Sequence, residues 1–380
     1  MMETTMNRYF TEQKSRILSY LRRFLEERSR DLDPVNRWGP DACRLLTEFT
    51  ASGKMIRGGL VILAWELFYG EPSADRAVSN PPPESMAVLK KGAKAESALA
   101  AATALELFQS ALLIHDDIID RDTMRRGQPS LFYQYHNRGL SESLGSEAYH
   151  FGESMGICLG DLAFFLGFEI LAAIDEEPSV LNTLLRLFSR ELTLVGLGQM
   201  EDVYLGKVHQ RAREADILNV YRYKTSRYTF SLPLVAGAIL GGAPPPVLAD
   251  LEKLGENLGI IFQIKDDELG LFGSAATIGK PVGSDLKEGK MTLYMYHLLQ
   301  DADPELAGWL QTLQNAAVSE ADLARIRDLV ISNGIQARIT GLTDDLTAEV
   351  RLLMAALPFQ SPQQWAILSE LVEYNLSRNQ

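Results

Sequence analysis

Cysteine is nearly absent: the chain has two in 380 residues, Cys43 and Cys158, with no paired spacing. That excludes a disulfide framework and a zinc ribbon, and fits two reduced thiols in a cytoplasmic protein. Basic charge is scarce as well. Lysine and arginine number 37 against 50 acidic residues, for a net charge of -13 and a pI near 5.0. A surface that tracks nucleic-acid phosphates needs a basic excess, so nucleic acid is not expected as a partner. The five histidines do not cluster at metal-ligand spacing, and no Ser/His/Asp constellation is evident. The opening stretch, MMETTMNRYFTEQKSRILSYLRRFLEERSR, carries too many charges for a secretory leader. No uninterrupted run of about 18 apolar residues points to a membrane span. Alternation of β-branched residues over strand lengths is rare too.

What is present is helical periodicity. In FTEQKSRILSYLRRFL, Phe10, Ile17, Leu21, Phe24 and Leu25 recur at helical spacings as one buried stripe. Similar patterns predict helices near 54–69, 95–120, 147–174, 179–205, 213–240, 246–272, 289–300 and 319–377. Hydrophobic residues make up 46% of the chain, enough for a large core. Residues 71–92, EPSADRAVSNPPPESMAVLKKG, read as a long surface loop, because three consecutive prolines cannot continue a helix. GGAPPP and the glycine-rich LGLFGSAATIGKPVGSDLKEGK are further connections. No change in composition marks a boundary and no fixed-period repeat is visible, so an all-α single domain over 1–380 is expected.

Two acidic stations stand out. In HDDIIDRDTMRRG, residues 115–127, helical residues four apart lie about 40° apart around the axis and roughly 6 Å along it. Asp116 and Asp120 therefore share a face, with Asp117 beside them. Such carboxylates suit a hard cation such as Mg2+, which prefers oxygen ligands and leaves positions for substrate phosphates; the alternative is a solvated helix end. The second station is FQIKDDELGLFG, where Asp266 and Asp267 follow the apolar LGIIFQI. Two stations on two helices can face each other across a bundle. Basic residues gather in GKMIRG (Lys54, Arg57), RRG (Arg125, Arg126), YKTSRY (Lys224, Thr225) and GKPVGSDLKEGK (Lys280, Lys290). Each cluster alone suits a solvated face. Magnesium ligands together with several lysines and arginines suit a ligand carrying diphosphates.

The ordered markers GKMIR, ELFQSALLIHDDIIDRDTMRRG, LGD, GQMED, YKTSRY, FQIKDDELG and GKPVGSDLKEGK resemble the polyprenyl (isoprenyl) diphosphate synthases over about residues 50–300. The resemblance implies the isoprenoid synthase type I fold, a single large bundle of long helices around a deep central cavity, usually as a homodimer. It implies head-to-tail 1′–4 condensation of isopentenyl diphosphate with an allylic diphosphate, with three Mg2+ ions present once substrate is bound. By position, Asp116, Asp120 and Asp266 resemble the metal ligands. Asp117, Asp267 and Lys224 stand with them as the catalytic set. Arg125, Lys224, Thr225, Gln263, Lys280 and Lys290 resemble the allylic diphosphate set; Lys54, Arg57, Gln109 and Arg126 resemble the isopentenyl diphosphate set.

The chain departs from that pattern in places. Gly270 stands where the second station usually ends in aspartate, Gln109 where histidine is common, and Gly58 where proline is more usual. His115 reads as a local hydrogen-bonding residue and Cys158 as packing. Gln199 and Asp202 of GQMED, and Asp161 of LGD, read either as polar support for the site or as helix-to-helix hydrogen bonds.

Product length is read from the turns above Asp116. Ala111 is small, with Leu112 beside it, so a growing chain does not stop there. Phe108, three residues earlier on the same side, can close the tunnel about one turn deeper, roughly 5 Å away; the alternative is an ordinary core phenylalanine. Geranylgeranyl diphosphate is the expected product, with farnesyl or geranylfarnesyl diphosphate as alternatives. A terpene cyclase or head-to-head condensing enzyme would lack the set of Lys54, Arg57 and Arg126. A rival of another class is a non-catalytic subunit of a hetero-oligomeric synthase. Residues 301–380 read as amphipathic helices without an assigned role.

Overall fold

The computed structural model describes residues 4–69, 84–208, 212–273, 286, 289–313, 318–358 and 361–377, with backbone alone for 84–93 and 377. It is helical nearly throughout, as the periodicity predicts. The chain divides into two compact units. The first comprises Met1–Leu185, Ala236–Ala243 and Gln360–Ile367; the second comprises Arg186–Val235, Pro244–Phe359 and Leu368–Gln380.

The first unit holds α1 (Thr5–Leu32), α2 (Trp38–Ala51), α3 (Ile56–Phe68) and α4 (Glu84–Ile119). A two-stranded hairpin follows, β1 (Met124–Arg125) and β2 (Gln128–Pro129), then α5 (Leu131–Ser141), α6 (Ala148–Ala172) and the start of α7 (Pro178–Leu205). The α1 stripe buries Phe10, Ile17, Leu21 and Leu25, while Phe24 at its margin is half-buried. Helix α4 is the spine, wrapped by α1, α3 and α6. Glycines bring α6 close to it: a Cβ at Gly160 would stand 2.2 Å from His115 Nε2, and one at Gly167 would stand 2.6 Å from Phe108 Cε1.

Some boundaries differ from expectation. Residues 84–92, read as loop, form the first turns of α4; the remainder, 71–83, lies outside the described residues. A proline run can precede a helix as readily as interrupt one, because first-turn N–H groups have no intrahelical partner. Helices α2 and α5 lie outside the predicted segments; α5 has a short apolar stripe, whereas α2 buries Ala42, Cys43, Leu45, Leu46 and Phe49 and was missed. In α5 the buried residues are only Leu131, Phe132, Tyr135 and Gly139. Lys94–Ile119 and Gly145–Ala172 prove long and apolar enough, by length and composition, to cross a membrane. The apolar window of the first is 78% buried, as suits a core helix, but that of the second is only 44% buried.

The second unit takes the rest of α7, then α8 (Glu214–Val220), a π-helical segment (Tyr221–Ser231) and the start of α9 (Leu232–Gly241). It continues through α10 (Pro245–Phe272), α11 (Leu293–Gln300), α12 (Pro304–Thr312), α13 (Glu320–Ser332), α14 (Ile335–Ala356) and most of α15 (Pro362–Ser377). The helical pattern over 319–377 breaks at Gly334, whose φ of +70° suits a residue without Cβ, and again at Leu357. Leu310, Ile326, Val330, Ile335 and Ile339 join Ile260, Ile264 and Leu293 in one buried cluster. The C-terminal stretch thus builds the core that carries α10.

Candidate functional site

In the first unit the acidic station closes α4. The Asp120 N–H bonds the Asp116 carbonyl at 2.8 Å, so Asp120 sits one turn beyond Asp116 on the same face. Arg121 then adopts φ +58° and turns the chain. Arg126 and Gly127 both have positive φ, +53° and +76°, as a two-residue turn in a twisted hairpin requires. That hairpin folds Arg125 back onto the helix end. Its Nε donates to Asp117 Oδ1 at 2.6 Å, and Nη2 lies 3.5 Å from Asp122 and 3.7 Å from Asp116. Burial pushes Asp117 up to about 6, against the charge and hydrogen bond of Arg125, with Asp116 and Asp122 adding to the rise. Burial also opposes the Arg125 charge, but Asp117, Asp116 and Asp122 hold its pKa above the ordinary arginine value. Asp117 is therefore buried and engaged by Arg125, while Asp116 and Asp120 keep partial exposure.

Among the described residues, no group of three or more His, Cys, Asp or Glu side chains is arranged to hold a metal ion. The first station instead offers two carboxylates on one helix face. Magnesium commonly takes one or two carboxylates together with water and substrate phosphates. The donor set fits a hard cation that arrives with an anionic ligand.

Further basic groups lie in the same unit. Lys54 is exposed just before α3, and Arg57 lies in its first turn. Arg126 Nη1 donates to Ser52 Oγ at 2.8 Å and to the Phe49 carbonyl at 3.4 Å. Burial, then the charges of Arg125 and Arg57, lower the Arg126 pKa, with Glu106 opposing. Arg125 and Arg57 thus each disfavour the Arg126 charge, a cost that a bound anion would relieve. Arg125 and Arg126 line a cleft of about 380 Å³ with Phe49, Ser52 and Gln128. Gln109 is half-buried on α4. One turn before it, the buried Glu106 accepts the Gly58 N–H at 2.7 Å. Glu106 was not singled out from sequence; the available signal was Gly58, whose N–H a proline would lack.

In the second unit, Lys224 and Thr225 sit in the π-helical segment, a geometry often found at functional sites. Three glycines bring helices against its backbone. An added Cβ would stand 2.7 Å from Lys224 N at Gly198, 2.4 Å from Ser231 N at Gly255, and 2.2 Å from Ser226 Cα at Gly259. Arg227, buried, donates to Glu191 at 2.9 and 2.7 Å, to Glu256 at 3.2 Å, and to Glu252. These bonds staple the segment to α7 and α10.

Lys224 Nζ donates to Asp202 Oδ2 at 2.5 Å, which gives the aspartate of GQMED a supporting role beside a candidate phosphate ligand. Thr225 Oγ1 donates to Gln263 Oε1 at 3.1 Å, and Gln263 Nε2 donates to Asp267 Oδ1 at 2.8 Å. The Tyr221 hydroxyl donates to Asp267 Oδ2 and accepts the Leu293 N–H at 2.9 Å. Both oxygens of the buried Asp267 are thus engaged, while Asp266 is exposed. The station divides its labour as the first does, with one aspartate organising protein groups and another reachable by a cation. Lys290 is half-buried; Lys280 lies outside the described residues.

His115 Nε2 lies 3.2 Å from the Ile157 carbonyl and 3.6 Å from Asp161, a local hydrogen-bonding position. Cys158, read as packing, is exposed on α6. Phe108 is fully buried, its ring centroid 4.9 Å from Phe168 and 6.0 Å from Phe164 of α6. Ala111 is buried and Leu112 half-buried. The candidate floor is therefore an aromatic cluster with two members that sequence spacing did not reveal.

A family model described as polyprenyl synthetase matches residues 42–330. The chain is 30% identical over 294 residues to a geranylgeranyl diphosphate synthase of Saccharolobus solfataricus, covering 76% of this chain and 75% of that protein. It is 33% identical over 209 residues to a geranylgeranyl diphosphate synthase of Methanosarcina mazei, covering 55% of this chain and 59% of that protein. This second match spans less than two thirds of the relative's length. Its fold is similar to the crystal structure of a geranylgeranyl pyrophosphate synthase from Corynebacterium glutamicum complexed with isoprenyl diphosphate and magnesium. That similarity has a TM-score of 0.82 at 26% identity and covers 99% of this chain and all of that one.

Proposed function

The chain belongs to the polyprenyl synthetase family, and from that membership we propose that it is a trans-prenyltransferase making a short-chain polyprenyl diphosphate. It condenses isopentenyl diphosphate with an allylic diphosphate, head to tail and 1′–4, and geranylgeranyl diphosphate is its main product. The observation that carries this reading is the first station. Two accessible carboxylates share the end of α4, a third is buried to anchor Arg125, and Arg57 and Arg126 stand close by.

Diphosphate leaves carbon only when its charge is neutralised. Asp116, Asp120 and Asp266 would hold magnesium, three ions being the count the family resemblance implies, which supplies Lewis-acid neutralisation of the leaving group. The chain's own groups do the rest. Lys224 exchanges Asp202 for a phosphate oxygen, and Arg125 extends the positive field at the helix end. Lys54, Arg57, Gln109 and Arg126 hold the second diphosphate and orient its double bond toward the allylic carbon, which supplies proximity. Loss of pyrophosphate from the allylic substrate leaves a carbocation; C4 of isopentenyl diphosphate bonds to it, and the proton lost from C2 passes to the released pyrophosphate. The test is chromatography of products formed by the protein with magnesium, with dimethylallyl, geranyl and farnesyl diphosphates offered separately. A twenty-carbon product should dominate; a dominant product of thirty carbons or more rules out the assigned length. No turnover with any primer favours the non-catalytic subunit.

Phe108→Ala should lengthen the main product by one isoprene unit or more. An unchanged distribution places the floor elsewhere.

We also infer that the working form is a homodimer. Helix α6 exposes Phe165 at 71%, with Leu162 and Ile157 on the surface of the same helix. An apolar surface of this kind suits burial against a second copy. Light scattering should give twice the 42.2 kDa chain mass, and Phe165→Glu should return the mass to that of one chain.

A further inference from the structure

Glu106 lies on α4 and is 5% exposed. Burying a carboxylate costs free energy unless it is paired or hydrogen-bonded. Its partner is the Gly58 N–H, 2.7 Å away and 48 residues distant in sequence. Gly58 is the third residue of α3, and a helix leaves its first N–H groups without intrahelical acceptors. Met55, at the N-cap, has φ +55° and makes no side-chain cap. Glu106 therefore caps α3 from a neighbouring helix, its carboxylate at the positive end of the α3 dipole. The approach is tight. A Cβ at Gly58 would stand 2.8 Å from Ile17 Cδ1, 3.0 Å from the Ala102 carbonyl and 3.1 Å from Glu106 Cγ.

Arg57 immediately precedes the capped residue. Burial raises the Glu106 pKa, and the Gly58 N–H, Arg57, Arg126 and Lys14 all work to lower it. The cations thus offset part of the cost of burying Glu106, and the hydrogen bond its carboxylate accepts is the cap on Gly58.

We propose that Glu106 is a positioning residue of the isopentenyl diphosphate half-site, capping α3 from α4 so that Arg57 and Arg126 act as one anion-binding pair. The proposal rests on the prenyl-transfer reading.

The experiment uses the full chain with magnesium. Initial rates are measured with isopentenyl diphosphate varied at saturating farnesyl diphosphate, and then the reverse. Glu106→Ala should raise KM for isopentenyl diphosphate about tenfold or more, while KM for farnesyl diphosphate moves less than about twofold. Glu106→Asp, one methylene shorter, should show the same asymmetry. Glu106→Gln, which keeps an oxygen for the Gly58 N–H, should stay within about threefold of wild type. If Glu106→Ala does not fold, the Asp and Gln variants carry the comparison. Wild-type turnover with the isopentenyl diphosphate KM unmoved in the Ala and Asp variants, or with both KM values raised alike, overturns the assignment. A wild-type protein without turnover refutes the activity, and this role with it.

Discussion

Asp116→Asn should lower kcat/KM on the order of 10³-fold, about 4 kcal/mol of transition-state stabilisation, and leave the fold in place. Asparagine keeps the shape of the side chain but removes the charge that suits it to magnesium. The fold survives because Asp116 is half-buried and its ion pair with Arg125, at 3.7 Å, is long. The arginine is held by Asp117 at 2.6 Å instead. Thermal unfolding should therefore match wild type, and raised magnesium concentration should recover part of the lost rate. Asp120→Asn should behave alike, since the two carboxylates share one helix face. Activity within about tenfold of wild type for both variants would remove the first station from the chemistry.

The second large effect is on stability. Gly259→Ala places a Cβ 2.2 Å from Ser226 Cα and 2.4 Å from Ser226 Cβ. The clash is with the backbone of the π-helical segment, which Arg227 staples through Glu191 and Glu256, so no side-chain rotation relieves it. Overpacking of this kind costs roughly 1–3 kcal/mol and sometimes more, against about 1 kcal/mol gained from alanine's helix propensity. A marked fall in Tm follows, with weaker binding of the allylic diphosphate because Lys224 and Thr225 lie in the displaced segment. Gly341→Ala is the control: nothing lies within 4 Å of its added Cβ on α14, so it should be neutral or slightly stabilising. Equal Tm values for the two variants would mean the contact at Gly259 is slack.

Much of this was legible along the chain. The 3.6-residue period located most helices, and the spacing of Asp116 and Asp120 placed both on one face, because a helix converts sequence separation into direction by local geometry. The eleven-residue π-helical run was not legible. Residues 213–240 read as one helix, and the change of winding is accompanied by Gly198, Gly255 and Gly259, which lie far from it in sequence.

The same limit governed the site. The amino-acid order alone pointed to an all-α chain, two aspartate-rich stations and the cations expected to meet diphosphates. Only the tertiary structure decided which aspartate of each station is spent inside the protein, Asp117 on Arg125 and Asp267 on Tyr221, 46 residues away. It also decided that Glu106 caps a helix that begins 50 residues earlier. The reason is physical. Periodicity is a property of neighbouring residues, whereas burial and hydrogen-bond partners are set by segments that meet only when the chain folds.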